Sequence, residues 1–280
     1  MELLERRRAL IEERLVDVID GVEPEPLREE LRHVALSGGK RVRPTVTVLA
    51  CETVGGEAED AVDFGVGIEL VHTASLVVDD IIDRSELRRG TTSAWAEYGH
   101  GPALVTSDGL LGEAFALFSA DPRATQAVAE AMVELGVGEA TELTAQPTSE
   151  TEYMTLARRK TGSLFRAAAE LGAIAADADP LTVETLGEYA ERVGVAFQIR
   201  DDVLDAVADP AALGKPTGHD AAMDRPSVVQ VTDLSPDEAN GRARAEADCA
   251  IDALERVDVT DETARSYLVE LAEFVVERER

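Results

Sequence analysis

Apolar residues recur at helical spacing along almost the whole chain, whereas β-branched alternating segments bounded by turn pairs are nearly absent. That periodicity predicts an all-α fold. Helices are expected over Glu2 to Asp20, Leu27 to Ser37, from Pro44 through Cys51, Glu57 to Asp83, Pro102 to Ser119, Pro122 to Thr144 and Leu181 to Val207. Glycine and proline supply the breaks: "DGVEPEP" ends the first helix, Gly38 and Gly39 the second, and "ADPAALGKPTGHDAAMDRP" follows the last. The capping boxes "SETE" (Ser149 to Glu152) and "SPDE" (Ser235 to Glu238) start two more. No linker or tandem repeat divides the 280 residues, so residues 1–280 are expected to form a single domain.

Charge excludes some partners. The chain carries 56 acidic against 27 basic residues, a net charge of -29, which repels nucleic acid and anionic membrane surfaces. Its N-terminus, "MELLERRRALIEERL", is charged throughout, and no run reads as long enough to span a bilayer, so a cytoplasmic protein is expected. Cys51 and Cys249 lack metal or redox spacing. Lysine is confined to Lys40, Lys160 and Lys215. An acidic, lysine-poor composition resembles that of halophilic proteins from a salt-rich cytoplasm, although a GC-rich genome explains the arginine excess equally well.

Within this acidic background two motifs stand out, "VVDDIIDRSELRRG" and "QIRDDVLD". Asp79 and Asp83 are four apart, as are Asp201 and Asp205, so each pair shares a helix face at about 6 Å along the axis. Asp80 and Asp202 adjoin them, and both motifs close apolar runs. Two such helix ends facing one another could hold magnesium, which takes one or two carboxylates together with substrate phosphates. A diphosphate is the natural third party. Each lysine sits beside glycine or threonine, which lets backbone approach an anion, and Arg43, Arg88 and Arg89 add planar forks.

"GGKRVRP", "HTASLVVDDIIDRSELRRG", "KTG", "FQIRDDVLD" and "GKPTGHD", in this order over about Gly38 to Asp220, resemble the signature set of the trans-isoprenyl diphosphate synthases, the polyprenyl synthetase family. The resemblance implies a helical bundle of the isoprenoid synthase type with a central cavity, a homodimer, and condensation of isopentenyl diphosphate with an allylic diphosphate. It further implies three magnesium ions held by Asp79, Asp80, Asp83, Asp201, Asp202 and Asp205. Arg88, Lys160, Thr161, Gln198 and Lys215 would contact the allylic diphosphate, with Arg225 standing where the family has a lysine. Lys40, Arg43, His72 and Arg89 would hold isopentenyl diphosphate.

The chain departs from the family pattern at Asp224 to Ser227 and at Glu139, where glutamine is common. Product length in this family depends on the depth of an apolar tunnel below the first motif. Ala74 and Ser75, five and four residues before Asp79, are too small to stop a chain at fifteen carbons. Geranylgeranyl diphosphate or longer is expected, with a floor at Phe115 or Phe118 as the alternative that would shorten it. Competing readings are a farnesyl diphosphate synthase, a non-catalytic subunit that binds prenyl diphosphates, a terpene cyclase or head-to-head condensing enzyme, and a purely structural acidic helical protein.

Overall fold

A 25-residue helix, α4 (Ala58–Ile82), runs through the centre of the bundle with apolar side chains on almost every face. By length and composition it could cross a membrane, which the sequence reading had not expected of any segment; 67% of its most apolar window is instead buried by neighbouring helices. It is the core helix of the bundle. The computed structural model describes residues 2–145, 147–207, 227–232 and 234–277.

Before α4 come α1 (Glu2–Asp20), α2 (Glu25–Ala35) and α3 (Val42–Thr53). α1 buries Ile11, Leu15 and Ile19, a four-residue stripe, and leaves its charged face outside. After α4, the two-residue strands β1 (Leu87–Arg88) and β2 (Thr91–Thr92) form a small antiparallel hairpin, and α5 (Ala94–Tyr98), α6 (His100–Phe118) and α7 (Pro122–Thr144) follow. Asp121 caps α7 by accepting from the Arg123 amide, with Pro122 in the first turn where its missing N–H costs nothing. α8 (Glu150–Ala157) starts at the expected Ser149 cap.

α8 does not simply end. It widens into a π-helical turn, Arg158–Gly162, that leads directly into α9 (Ser163–Ala175). α10 (Pro180–Val207) is the second long central helix. A short turn of helix, α11 (Val228–Val231), then precedes α12 (Pro236–Leu254) and α13 (Glu262–Glu277). The capping box at Ser235 and Glu238 starts α12 as the sequence predicts.

α4 packs on α3, α6 and α9, while α10 packs on α9 and α12. Tyr189 pins α10 to α13 by donating to the Leu268 carbonyl at 2.8 Å. These contacts are what place the site, because the two aspartate motifs fall at the C-terminal ends of α4 and α10. The all-α prediction holds, with the hairpin as a local addition too short to show alternation.

Candidate active site

The C-terminal end of a helix carries partial negative charge, so aspartates there are electrostatically disfavoured unless cations join them. Asp79 and Asp201 nevertheless line one cavity of about 300 Å³ between α4, α7, the π turn and α10. Cationic and polar groups, Arg43, His72, Arg88, Lys160, Thr161 and Gln198, complete its polar wall. Leu76, Leu135, Leu164 and Phe197 supply the apolar wall. A larger hollow of about 620 Å³ opens between α7 and α9, but its arginines are paired, Arg158 with Glu191, Arg159 with Glu134 and Arg166 with Glu170. The smaller cavity is the one that gathers the residues expected from the two aspartate motifs.

The second aspartate of each motif is placed differently from the first. Asp80 is 3% exposed and accepts from Arg88 through Nε at 2.9 Å and Nη2 at 2.5 Å. Asp202, also 3% exposed, accepts from Gln198 Nε2 at 2.7 Å, Tyr153 Oη at 2.7 Å and the Val228 amide at 2.8 Å. Side chains at consecutive helix positions diverge. Asp80 and Asp202 therefore bond to protein donors, while Asp79 and Asp201 line the cavity together with Asp202.

Gln198 is oriented by this network. Its Nε2 donates to Asp202 and its Oε1 accepts from Thr161 Oγ1 at 2.6 Å, so the second Nε2 hydrogen remains for a ligand. Lys160 forms a close ion pair with Glu142 and lies 3.4 Å from Glu139. The π turn sets this side chain and Thr161 against α7 and α10, a distortion often found where function demands it.

On the opposite wall, Arg43 stacks over the Phe165 ring at 4.5 Å, and its Nε is buried without a hydrogen-bond partner. Burial pushes its guanidinium down to about 10, so it stays charged at neutral pH. His72 is held well below its ordinary value of 6.5 by burial first, then by Arg43, Arg89, Arg88 and Arg41. Its imidazole is neutral, a donor and acceptor within a cationic shell. Stability carried by this neutral form is complete above pH 6.5 and declines as pH falls below it, where the unfolded chain takes up a proton that the folded one refuses. His72→Gln is expected to flatten that acid-side slope in urea unfolding across pH 5 to 7.

Other expected residues lie at the margin. Lys40 lines a groove between α1, α3 and α13, beside Arg8 and Tyr267. Arg89 reaches the Gly38 carbonyl at 2.6 Å, and the adjoining Gly39 holds φ 134, a backbone conformation that favours glycine. Ser75 lines the cavity, with its hydroxyl turned back to the His72 carbonyl at 2.8 Å, while Ala74 is buried beneath α6. Asp83 caps α4, and Asp205 lies one turn beyond Asp201 on α10. Lys215 and Arg225 lie outside the described residues. Sequence reasoning missed Tyr153 and Glu142; the only signal for Tyr153 was its place seven residues before Lys160.

Magnesium fits this donor set. Every candidate ligand is a carboxylate oxygen, and among the described residues no three acidic, histidine or cysteine side chains converge into a cage. A cation that completes its shell with waters and substrate phosphates suits such a half-built site.

The comparisons with known proteins agree. A model of the polyprenyl synthetase family matches residues 24–262. The short chain isoprenyl diphosphate synthase of Methanothermobacter thermautotrophicus is 32% identical, over 100% of this chain and 98% of that protein. The crystal structure of geranylgeranyl pyrophosphate synthetase from Pyrococcus horikoshii superposes with a TM-score of 0.90 at 33% identity, covering 99% of both chains. A polyprenyl synthase from Caulobacter crescentus, complexed with calcium and isoprenyl diphosphate, has a TM-score of 0.90 at 26% identity and covers 100% of this chain and 97% of that one.

Proposed function

The chain belongs to the polyprenyl synthetase family and is a prenyltransferase, and we propose that it makes geranylgeranyl diphosphate or a longer product from isopentenyl and allylic diphosphates. The observation that carries this reading is the meeting of Asp79 and Asp201, from two different helix ends, in one cavity that Arg43 and His72 also line.

In this reading the allylic diphosphate lies between the two motifs. Lys160, Arg88 and the free hydrogen of Gln198 take its oxygens, with Lys160 exchanging its glutamate partners for phosphate. Asp79, Asp83, Asp201 and Asp205 would hold magnesium together with substrate oxygens, and the ion would supply positive charge against the departing diphosphate. In this reading Asp80 and Asp202, the other two of the six expected ligands, act first by positioning Arg88 and Gln198. Thr161 likewise acts through Gln198.

Isopentenyl diphosphate lies against Arg43, His72, Arg89 and Lys40, and the unpartnered Arg43 Nε gives that anion a donor. The allylic carbon–oxygen bond breaks with its electron pair leaving on diphosphate. The isopentenyl double bond attacks that carbon to form the new carbon–carbon bond, and transfer of a proton to the released diphosphate restores an alkene. Leu76, Leu135, Leu164 and Phe197 keep water from the allylic cation.

Ala74 and Ser75, about one helical turn before Asp79, carry no side chain large enough to stop a growing chain. The aromatic cluster Phe64, Phe115 and Phe118 lies deeper along α4, where the Phe118 ring fills the space a Cβ on Gly67 would occupy. Gly67 is twelve positions before Asp79, about 18 Å along the helix. That depth supports twenty carbons or more. Product sizing after incubation with isopentenyl diphosphate, an allylic diphosphate and magnesium is expected to give geranylgeranyl diphosphate or longer; a farnesyl-only profile would overturn this assignment.

A cytoplasmic homodimer completes the reading. Leu104, Val105, Val133 and Val137 stay exposed on the consecutive helices α6 and α7, an apolar set that a second copy would cover. The acidic, lysine-poor composition supports a salt-adapted protein.

A further inference from the structure

We propose that Glu69 is a positioning residue for the isopentenyl diphosphate site, acting through Arg41 and Arg89; this rests on the site reading above. Its carboxylate is 3% exposed, one turn before His72 on the same face of α4. A buried carboxylate is costly unless it is matched. Glu69 accepts from Arg41 Nη1 at 2.7 Å, lies 4.0 Å from Arg89 Nη2, and its attraction opposes the effect of burial on Arg43. One carboxylate thus bears on three guanidinium groups.

These arginines need it. The cations that depress His72 also repel one another; Asp80 answers Arg88, and Glu12, at 33% side-chain exposure, shares the load on Arg41 by accepting from its Nε at 2.8 Å. Arg41 is fully buried and also donates to the Ala35 carbonyl at 2.7 Å, which ties the end of α2 to the loop carrying Lys40.

The backbone makes the same point. Arg41 and Arg89 both adopt the left-handed conformation, at φ 50 and 52, which a non-glycine residue holds where surrounding contacts over-determine it. Glu69 lies between the two side chains. It joins the loop before Arg43, the turn after the first aspartate motif and the central helix, and so fixes where Arg89 and the Lys40 loop stand relative to His72. The groups assigned to the allylic diphosphate have separate anchors, since Arg88 is held by Asp80 and Gln198 by Asp202.

The prediction is therefore a split between substrates. In the full-length enzyme with magnesium, Glu69→Gln keeps the volume and removes the charge. It is expected to raise KM for isopentenyl diphosphate about tenfold or more while leaving KM for the allylic diphosphate within about twofold. Glu69→Asp keeps the charge with a shorter reach and should recover part of the loss, which also serves if the glutamine variant folds poorly. Arg43→Ala is the control for the site reading itself. If it raises KM for isopentenyl diphosphate while folded Glu69→Gln leaves that value unchanged, or shifts both KM values equally, the role of Glu69 is overturned. If Arg43→Ala leaves it unchanged, the site reading fails and the proposal with it.

Discussion

Replacing Asp79 or Asp201 by asparagine is expected to lower turnover by about three orders of magnitude while leaving thermal stability nearly unchanged. Both side chains line the cavity at helix C-termini, where the helix dipole disfavours a carboxylate. The neighbouring aspartates should behave in the opposite way. Asp202→Asn turns an acceptor of three hydrogen bonds into a group with a donor facing one of those donors, and Asp80→Asn removes the charge that pairs with Arg88. Each is expected to cost about 2 to 3 kcal/mol of stability. Their effect on turnover should be smaller and should appear mainly as a raised KM for the allylic diphosphate, because Arg88 and Gln198 lose their orientation. Steady-state kinetics beside thermal unfolding separates the two classes. If Asp202→Asn abolishes turnover at full stability, Asp202 belongs with the metal-holding residues after all.

That contrast marks how far the sequence reaches. Helix positions were legible because burial on one side imposes a period: Glu2–Asp20 and Pro122–Thr144 form where the apolar spacing and caps place them. The meeting of the two motifs was legible through order and type of residue. The facing of Asp80 and Asp202 was not, since it depends on Arg88, Tyr153 and Val228, partners brought near by other elements. The π turn at Arg158–Gly162 was hidden because helical periodicity resumes on both sides of it. Glu69 read as one more acid in an acidic chain; only its burial between arginines from two loops distinguishes it.

Gly172→Ala is expected to destabilise the fold by about 3 kcal/mol, against the usual sign of that substitution in a helix. Alanine is favoured over glycine at an interior helical position by about 1 kcal/mol. At residue 172, however, the new methyl would stand 2.1 Å from the Thr47 carbonyl oxygen, 2.9 Å from Ala50 Cβ and 3.0 Å from the Cys51 amide nitrogen. Two of these are backbone atoms of α3, so no side-chain rotation relieves the overlap and the helices must part. The consequence extends to the site, because α3 carries Arg43 and α9 carries the Phe165 ring on which it stacks. KM for isopentenyl diphosphate should rise along with the loss of stability. Gly241, on α12, has nothing within 4 Å of the added carbon, so Gly241→Ala should stabilise by about 0.5 to 1 kcal/mol and leave kinetics unchanged. Opposite shifts in melting temperature for the two alanine variants would show that the close crossing of α3 and α9 decides the sign; equal shifts would refute that crossing.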